Sequence, residues 1–137
     1  MNKLFNYIAL TGMVIAFISC AEPETPTATS MSYGDWSVDE FYVDGQSDGS
    51  GVISRFTLER DGSFVLEDNN NILFTGTWVA TDNSLTLTES VEGGTVFSFE
   101  IIYQSFTKMQ LVQTITSPTI GNIRITYLMN WNSATTY

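Results

Sequence analysis

Histidine is missing from this sequence, and a large share of ordinary enzyme chemistry goes with it. Ser-His-Asp and Cys-His nucleophile systems need an imidazole to carry the proton, and most catalytic zinc sites need one as a ligand. Cysteine occurs once, at Cys20, so no disulfide can form within the chain and packing alone must hold it together. Basic side chains are scarce, 5 against 15 acidic ones, for a net charge of -10. Nucleic acid is thereby excluded as a partner, because binding it takes clustered Lys and Arg to displace counterions. Long hydrophobic runs are absent too. The stretch from Leu4 to Ile18, broken by Asn6 and Thr11, falls short of the roughly 20 apolar residues a membrane helix needs. From Gly34 onward no apolar periodicity of the helical kind appears.

What the sequence does have begins with that short apolar run. Lys3 and the amino terminus precede it, and Ser19-Cys20 ends it, which is the layout of a secretory signal. The stretch "VIAFISCAEPETP" resembles the bacterial lipoprotein signal, in which cleavage falls just before a cysteine whose sulfur carries diacylglycerol. The resemblance implies that residues 1–19 are a signal peptide and that Cys20 is a lipidated amino terminus. It further implies residence in the bacterial cell envelope, tethered to the outer membrane on its periplasmic or surface face. Three acyl chains, at about 0.8 kcal/mol per buried methylene, would make such an anchor effectively permanent. An uncleaved helix ending in an inert thiol is the other reading. Loss of Lys3 with the leader leaves four basic side chains, Arg55, Arg60, Lys108 and Arg124, against all fifteen acids. Residues 20–33, with the Pro-, Thr- and Glu-rich "AEPETPTATSMSY", read as a flexible tether, and residues 34–137 as one folded domain, expected to be a monomer.

The folded part consists of short alternating runs rich in Val, Ile, Thr, Phe and Tyr, divided by Gly, Asp, Asn and Pro. The clearest is "SRFTLERDGSFVLED", residues 54–68: Phe56 and Leu58 share one face, Arg60-Asp61-Gly62 turns, and Phe64 and Leu66 return on that face. With it go runs at 36–43, 72–80, 84–89, 95–104, 109–116 and 123–131. Eight consecutive strands predict an all-β fold, an antiparallel up-and-down barrel whose closure removes unpaired edges, with a two-sheet β-sandwich as the alternative. Alternation slips between Val38 and Phe41, so a bulge is expected near Asp39 and Glu40.

The Gly-x-Trp of "YGDWSV" resembles the signature that opens lipocalin barrels. The longer string "GDWSVDEFYVDG … FTLERDGSFVLED … TGTWVATDNSLTL … KMQLVQ" is similar to the lipocalin-like domain of small bacterial lipoproteins. The resemblance covers Gly34 to Trp131 and implies a barrel that holds a small ligand. Gly34-Asp35-Trp36 recurs in form as Gly76-Thr77-Trp78, and Trp36, Trp78 and Trp131 read as plugs of the closed end, or alternatively as ligand-stacking rings.

In such a meander the turns near 60–62, 81–83 and 105–108 share one end. Loops 44–51, 68–71, 90–94 and 117–122 share the other, the expected mouth. Around that mouth Asp44, Asp48, Glu67, Asp68, Glu89 and Glu92 form a candidate acidic rim, either a solvated border or a funnel that repels anions and admits neutral or cationic amphiphiles. Phe41, Phe74, Phe97, Ile123 and Ile125 are the candidate ligand-contacting residues beneath it. The inward phase also takes in Phe56, Phe64, Phe99, Tyr103 and Tyr127, with Ile101, Met109, Leu111, Ile115 and Met129 between them, which points to a mostly filled barrel. Neither "DGQSDGSG" nor "EDNNN" fits a calcium loop. No cofactor, metal site or catalytic residue is expected. Two functions remain: binding of a small, mainly apolar, uncharged ligand, or docking to an envelope protein or glycan through a filled barrel.

Overall fold

The computed structural model describes residues 32–49 and 51–132. The leader, Cys20 and the tether through residue 31 lie outside the described residues. Nine strands follow in chain order: β1 (Gly34–Val43), β2 (Gln46–Ser47), β3 (Arg55–Leu58), β4 (Ser63–Asp68), β5 (Asn71–Ala80), β6 (Ser84–Glu89), β7 (Val96–Gln104), β8 (Lys108–Ser117) and β9 (Gly121–Trp131). β2 is a two-residue flap paired only with the end of β1. The other eight pair antiparallel in sequence order, and β9 returns to β1, with Trp36 opposite Trp131 and Val43 opposite Ile125. One sheet closed on itself is a barrel, and the sandwich alternative is excluded.

The expected bulge is present. Val38 faces Met129 and Glu40 faces Leu128, leaving Asp39 as the extra residue. Trp36, Val38 and Phe41 therefore all belong to the core side of β1. Two more bulges were not signalled by the alternation. In β5, Leu73 lies between the partners of Leu66 and Glu67 and packs on the core. In β7, Ile102 is the extra residue between Ile101, which faces Leu111, and Tyr103, which faces Gln110. That insertion corrects the inward placement of Tyr103: its side chain is turned to the outer wall and is 54% exposed. Ile115 is also corrected. It faces Ile123 near the last rungs of β8 and β9 and stands 41% exposed at the rim, beyond the core.

The middle of the barrel is a cluster of rings. Phe56, Phe99 and Tyr127 meet edge to face with centroids 5.5 to 5.9 Å apart, and Phe41 covers Tyr127 at 5.2 Å. Phe74 and Phe97 meet the same way at 5.0 Å. Such pairs contribute about 0.5–1.5 kcal/mol each beyond the area they bury. Leu58, Phe64, Leu66, Leu85, Leu87, Met109 and Leu111 fill the remaining inner positions and are almost fully buried. Gly76 is required by this packing, since a Cβ there would overlap the Thr88 carbonyl oxygen and come within 2.8 Å of the Phe64 ring.

Candidate functional site

The strands carry the chemistry-bearing residues to two ends. At the closed end, Gly62 turns with φ 87°, its N–H donates to Glu59 O at 3.1 Å, and the Ser63 N–H donates to Asp61 Oδ1 at 2.8 Å. Hydrogen bonds from the Ser63 hydroxyl and N–H hold the Asp61 carboxyl below its ordinary value. Trp36 and Trp78 are buried just inside. The Trp36 Nε1–H donates to Ser32 O at 2.7 Å and the Trp78 Nε1–H to Glu59 O at 2.8 Å, so neither indole leaves a buried donor unpaired. Trp131 differs from them. It is in the inward phase opposite Trp36 but on the final rung, and its ring lies against Gly34, 44% exposed. It covers the end where the other two fill it.

A groove of about 620 Å³ opens at this end, lined by Tyr33, Gly34, Asp35, Leu58, Glu59, Arg60, Asp61, Trp131 and Asn132. The Arg60 guanidinium stands 4.5 Å above the Tyr33 ring within it. Sequence reasoning placed the ligand entrance at the other end and missed this groove. Its walls are Tyr33 and Asn132, close to the two ends of the described chain, and no local pattern signals that they meet.

At the mouth, the six acidic residues do not form a uniform rim. Asp44 is part of the backbone framework. With φ 50° it and Gly45 make the two-residue turn between β1 and β2, and its Oδ1 accepts the Arg124 N–H at 2.8 Å. Glu89 Oε2 accepts the Thr95 N–H at 2.9 Å and so braces the β6–β7 loop. Glu67 lies on the outer wall, where Arg55 stands 3.6 Å from it and 3.4 Å from Asp35. It is an outer-wall ion-pair partner before it is a rim charge. Asp68 sits at the end of β4 beside the Asn69-Asn70 turn, the Asp48 N–H donates to Phe41 O at 2.9 Å, and Glu92 is exposed in the β6–β7 loop.

Between these acids the mouth exposes aliphatic side chains that the strand pattern does not single out: Val52, Val91, Ile115 and Ile120 at the rim, with Ile72 and Val96 just below on the outer wall. The candidate ligand contacts Phe41, Phe74, Phe97, Ile123 and Ile125 lie beneath, all half-buried. In the β2–β3 loop Gly51 lies so close to Phe41 that a Cβ would come within 3.0 Å of the ring, and Ile53 is buried in the core. Deeper still, burial pushes the Tyr127 hydroxyl up to about 12.

A second, shallower hollow of about 190 Å³ lies on the outer wall, lined in part by Asp39, Glu40, Tyr103 and Lys108. The bulge sets Asp39 and Glu40 both on this solvent-facing side, with the Tyr42 hydroxyl donating to Glu40 Oε2. That bond is the first cause of a raised Tyr42 hydroxyl. Among the described residues no group of three or more acidic, His or Cys side chains converges as metal ligands would. No protein-family model matches the chain, and no curated protein matches it in sequence.

Proposed function

We propose that the chain is a lipid-anchored, non-catalytic, lipocalin-like barrel of the bacterial envelope that docks a partner across its mouth. One observation carries the choice of docking over encapsulation: two sets of rings in edge-to-face contact, Phe56, Phe99, Tyr127 and Phe41 in one and Phe74 and Phe97 in the other, occupy the barrel. The recognition surface is then the crown of exposed Val52, Val91, Ile115 and Ile120 with Asp48, Glu89 and Glu92 around it. An apolar centre with acidic surroundings fits a protein surface that is apolar with a basic border. It disfavours an anionic lipid surface. The non-catalytic reading is supported by the missing histidine and by the solvent-facing position of Asp39 and Glu40.

A small uncharged apolar ligand is the second reading, favoured by the half-buried Phe74–Phe97 pair directly beneath the mouth. Native mass spectrometry of the protein extracted from membranes separates the two. The docking reading expects the mass of the lipidated chain alone. A non-covalent adduct of a few hundred daltons, roughly the size such a pocket takes, would instead establish the ligand reading.

A further inference from the structure

The tether and the barrel meet at a defined place, and that place has an unusual surface. Chain entry is pinned under the closed end: Ser32 is buried, its carbonyl accepts the Trp36 indole, and its hydroxyl accepts Gln104 Nε2 at 2.8 Å. Residues 20–31, however arranged, span at most about 40 Å. The mouth stands a further 25 Å or so above, since strands of ten residues at about 3.3 Å each are tilted by about 40° in such a barrel. A tether of that length exceeds the roughly 25 Å height of the barrel, so an acyl group on Cys20 attaches the closed end while the exposed surfaces decide which end rests on the membrane.

One quadrant of that end is built for contact with lipid. Phe106, 64% exposed, tips the β7–β8 turn, and the Trp131 N–H donates to Thr107 O at 2.8 Å, which ties the end of β9 to that turn while the exposed indole lies over Gly34 of the neighbouring β1. The bulge in β7 leaves Ile102 44% exposed and turns Tyr103 outward to share the outer hollow with Lys108. Trp and Tyr favour the headgroup boundary because one end of each is apolar and the other polar, and Lys reaches past apolar surface to the phosphates. Acidic side chains border this quadrant: Asp82 on the β5–β6 turn next to β7, Asp61 in the groove shared with Trp131, and Asp39 and Glu40 in the hollow shared with Tyr103, so the face suits a zwitterionic lipid surface over an anionic one.

We propose that Ile102, Tyr103, Phe106, Lys108 and Trp131 form a membrane-contact face that seats the barrel closed end down on the lipid surface, with the mouth turned away from it. The inference rests on the lipid anchor at Cys20. It gives the docking mouth its direction: partners are met on the side opposite the anchoring leaflet.

Fluorescence quenching in vesicles tests it, because Trp131 is the exposed indole and Trp36 and Trp78 are buried. The full lipidated chain is reconstituted into phosphatidylcholine vesicles with brominated or ordinary acyl chains. The Trp131 emission is lost in the brominated vesicles, Trp131→Phe removes the difference between the two, and Phe106→Ser diminishes it. Val91→Trp in the Trp131→Phe background, a reporter at the mouth, is equally bright in both. A lipidated chain whose Trp131 is unquenched, or whose mouth reporter is quenched, overturns the orientation alone. An intact mass showing no lipid on Cys20 overturns the anchor and this proposal with it.

Discussion

Tyr127→Phe asks whether water reaches the centre of the barrel. The Tyr127 hydroxyl is pushed up from 10.0 to about 12 by burial, and the residue is 4% exposed beneath Phe41. A group whose pKa is raised by folding lends stability that is fully present below its unfolded value, near 10, and is lost as pH climbs through the folded value. The difference corresponds to about 3 kcal/mol once both transitions are passed, and to about 1 kcal/mol at pH 11. Phenylalanine keeps the ring contacts with Phe41, Phe56 and Phe99 and removes the titration. Urea unfolding of both proteins at pH 8 and pH 11 isolates the effect, because every other tyrosine is common to the pair. The wild type should lose about 1 kcal/mol more than Tyr127→Phe between the two pH values. Equal losses would mean that the hydroxyl is hydrated in the folded state. The interior would then be an open, wet cavity, and the docking reading would lose its main support.

Replacing Phe56, Phe64 or Phe99 by Ala should cost about 3–5 kcal/mol each in denaturant unfolding, since all three are within 2% of full burial; losses under about 1 kcal/mol at all three would contradict the packing. Gly76→Ala should cost about 3 kcal/mol, because the new Cβ meets backbone as well as the Phe64 ring. Gly93→Ala, with φ 68° and open space around it, should cost only about 1 kcal/mol of backbone strain; a reversed order would be evidence against the β5–β6 register. Asp44→Ala should lose about 1 kcal/mol with its bond to the Arg124 N–H, and Asp44→Asn much less, in the same assay. Cys20→Ala should release a soluble form or stall the precursor, read by fractionation and intact mass.

Strand phases were legible wherever alternation ran unbroken. Phe56, Leu58, Phe64 and Leu66 could be assigned to one face from their spacing, and the β3–β4 register places Phe56 opposite Leu66 and Leu58 opposite Phe64. The bulge at Asp39 was legible for the same reason, because two large apolar residues at an odd spacing both needed burial. At Ile102 the signal was ambiguous: Ile101, Ile102 and Tyr103 are all apolar enough for either face, so nothing marked the extra residue. β2 was invisible because Gln46 and Ser47 carry no apolar signal. Its existence depends on the Asp44-Gly45 turn, read from the sequence as a loop although Asp-Gly favours a tight hairpin. The aliphatic crown was missed for a different reason. Val52, Val91 and Ile120 are single residues in three separate loops, ordinary one by one, and only the closed meander gathers them.

The bulges also account for how one short chain presents different surfaces along its length. A strand that alternates without interruption must place every second residue inside, and a one-residue slip moves its whole set to the other face. In β1 the extra Asp39 resets the phase partway up, so Trp36 seals the bottom and Phe41 caps Tyr127, while Asp39 and Glu40 stay together in solvent. In β7 the reset comes near the closed end and works in the opposite sense. Phe97, Phe99 and Ile101 face the core above it, and the Tyr103 ring, which the unbroken pattern would have driven in among the tryptophans, is moved out beside Lys108. With Trp36 and Trp78 already buried at that end, another ring inside would overpack the core, at about 1–3 kcal/mol. The same insertion thus relieves the interior and supplies the outer wall with the aromatic group that the proposed lipid-facing surface uses.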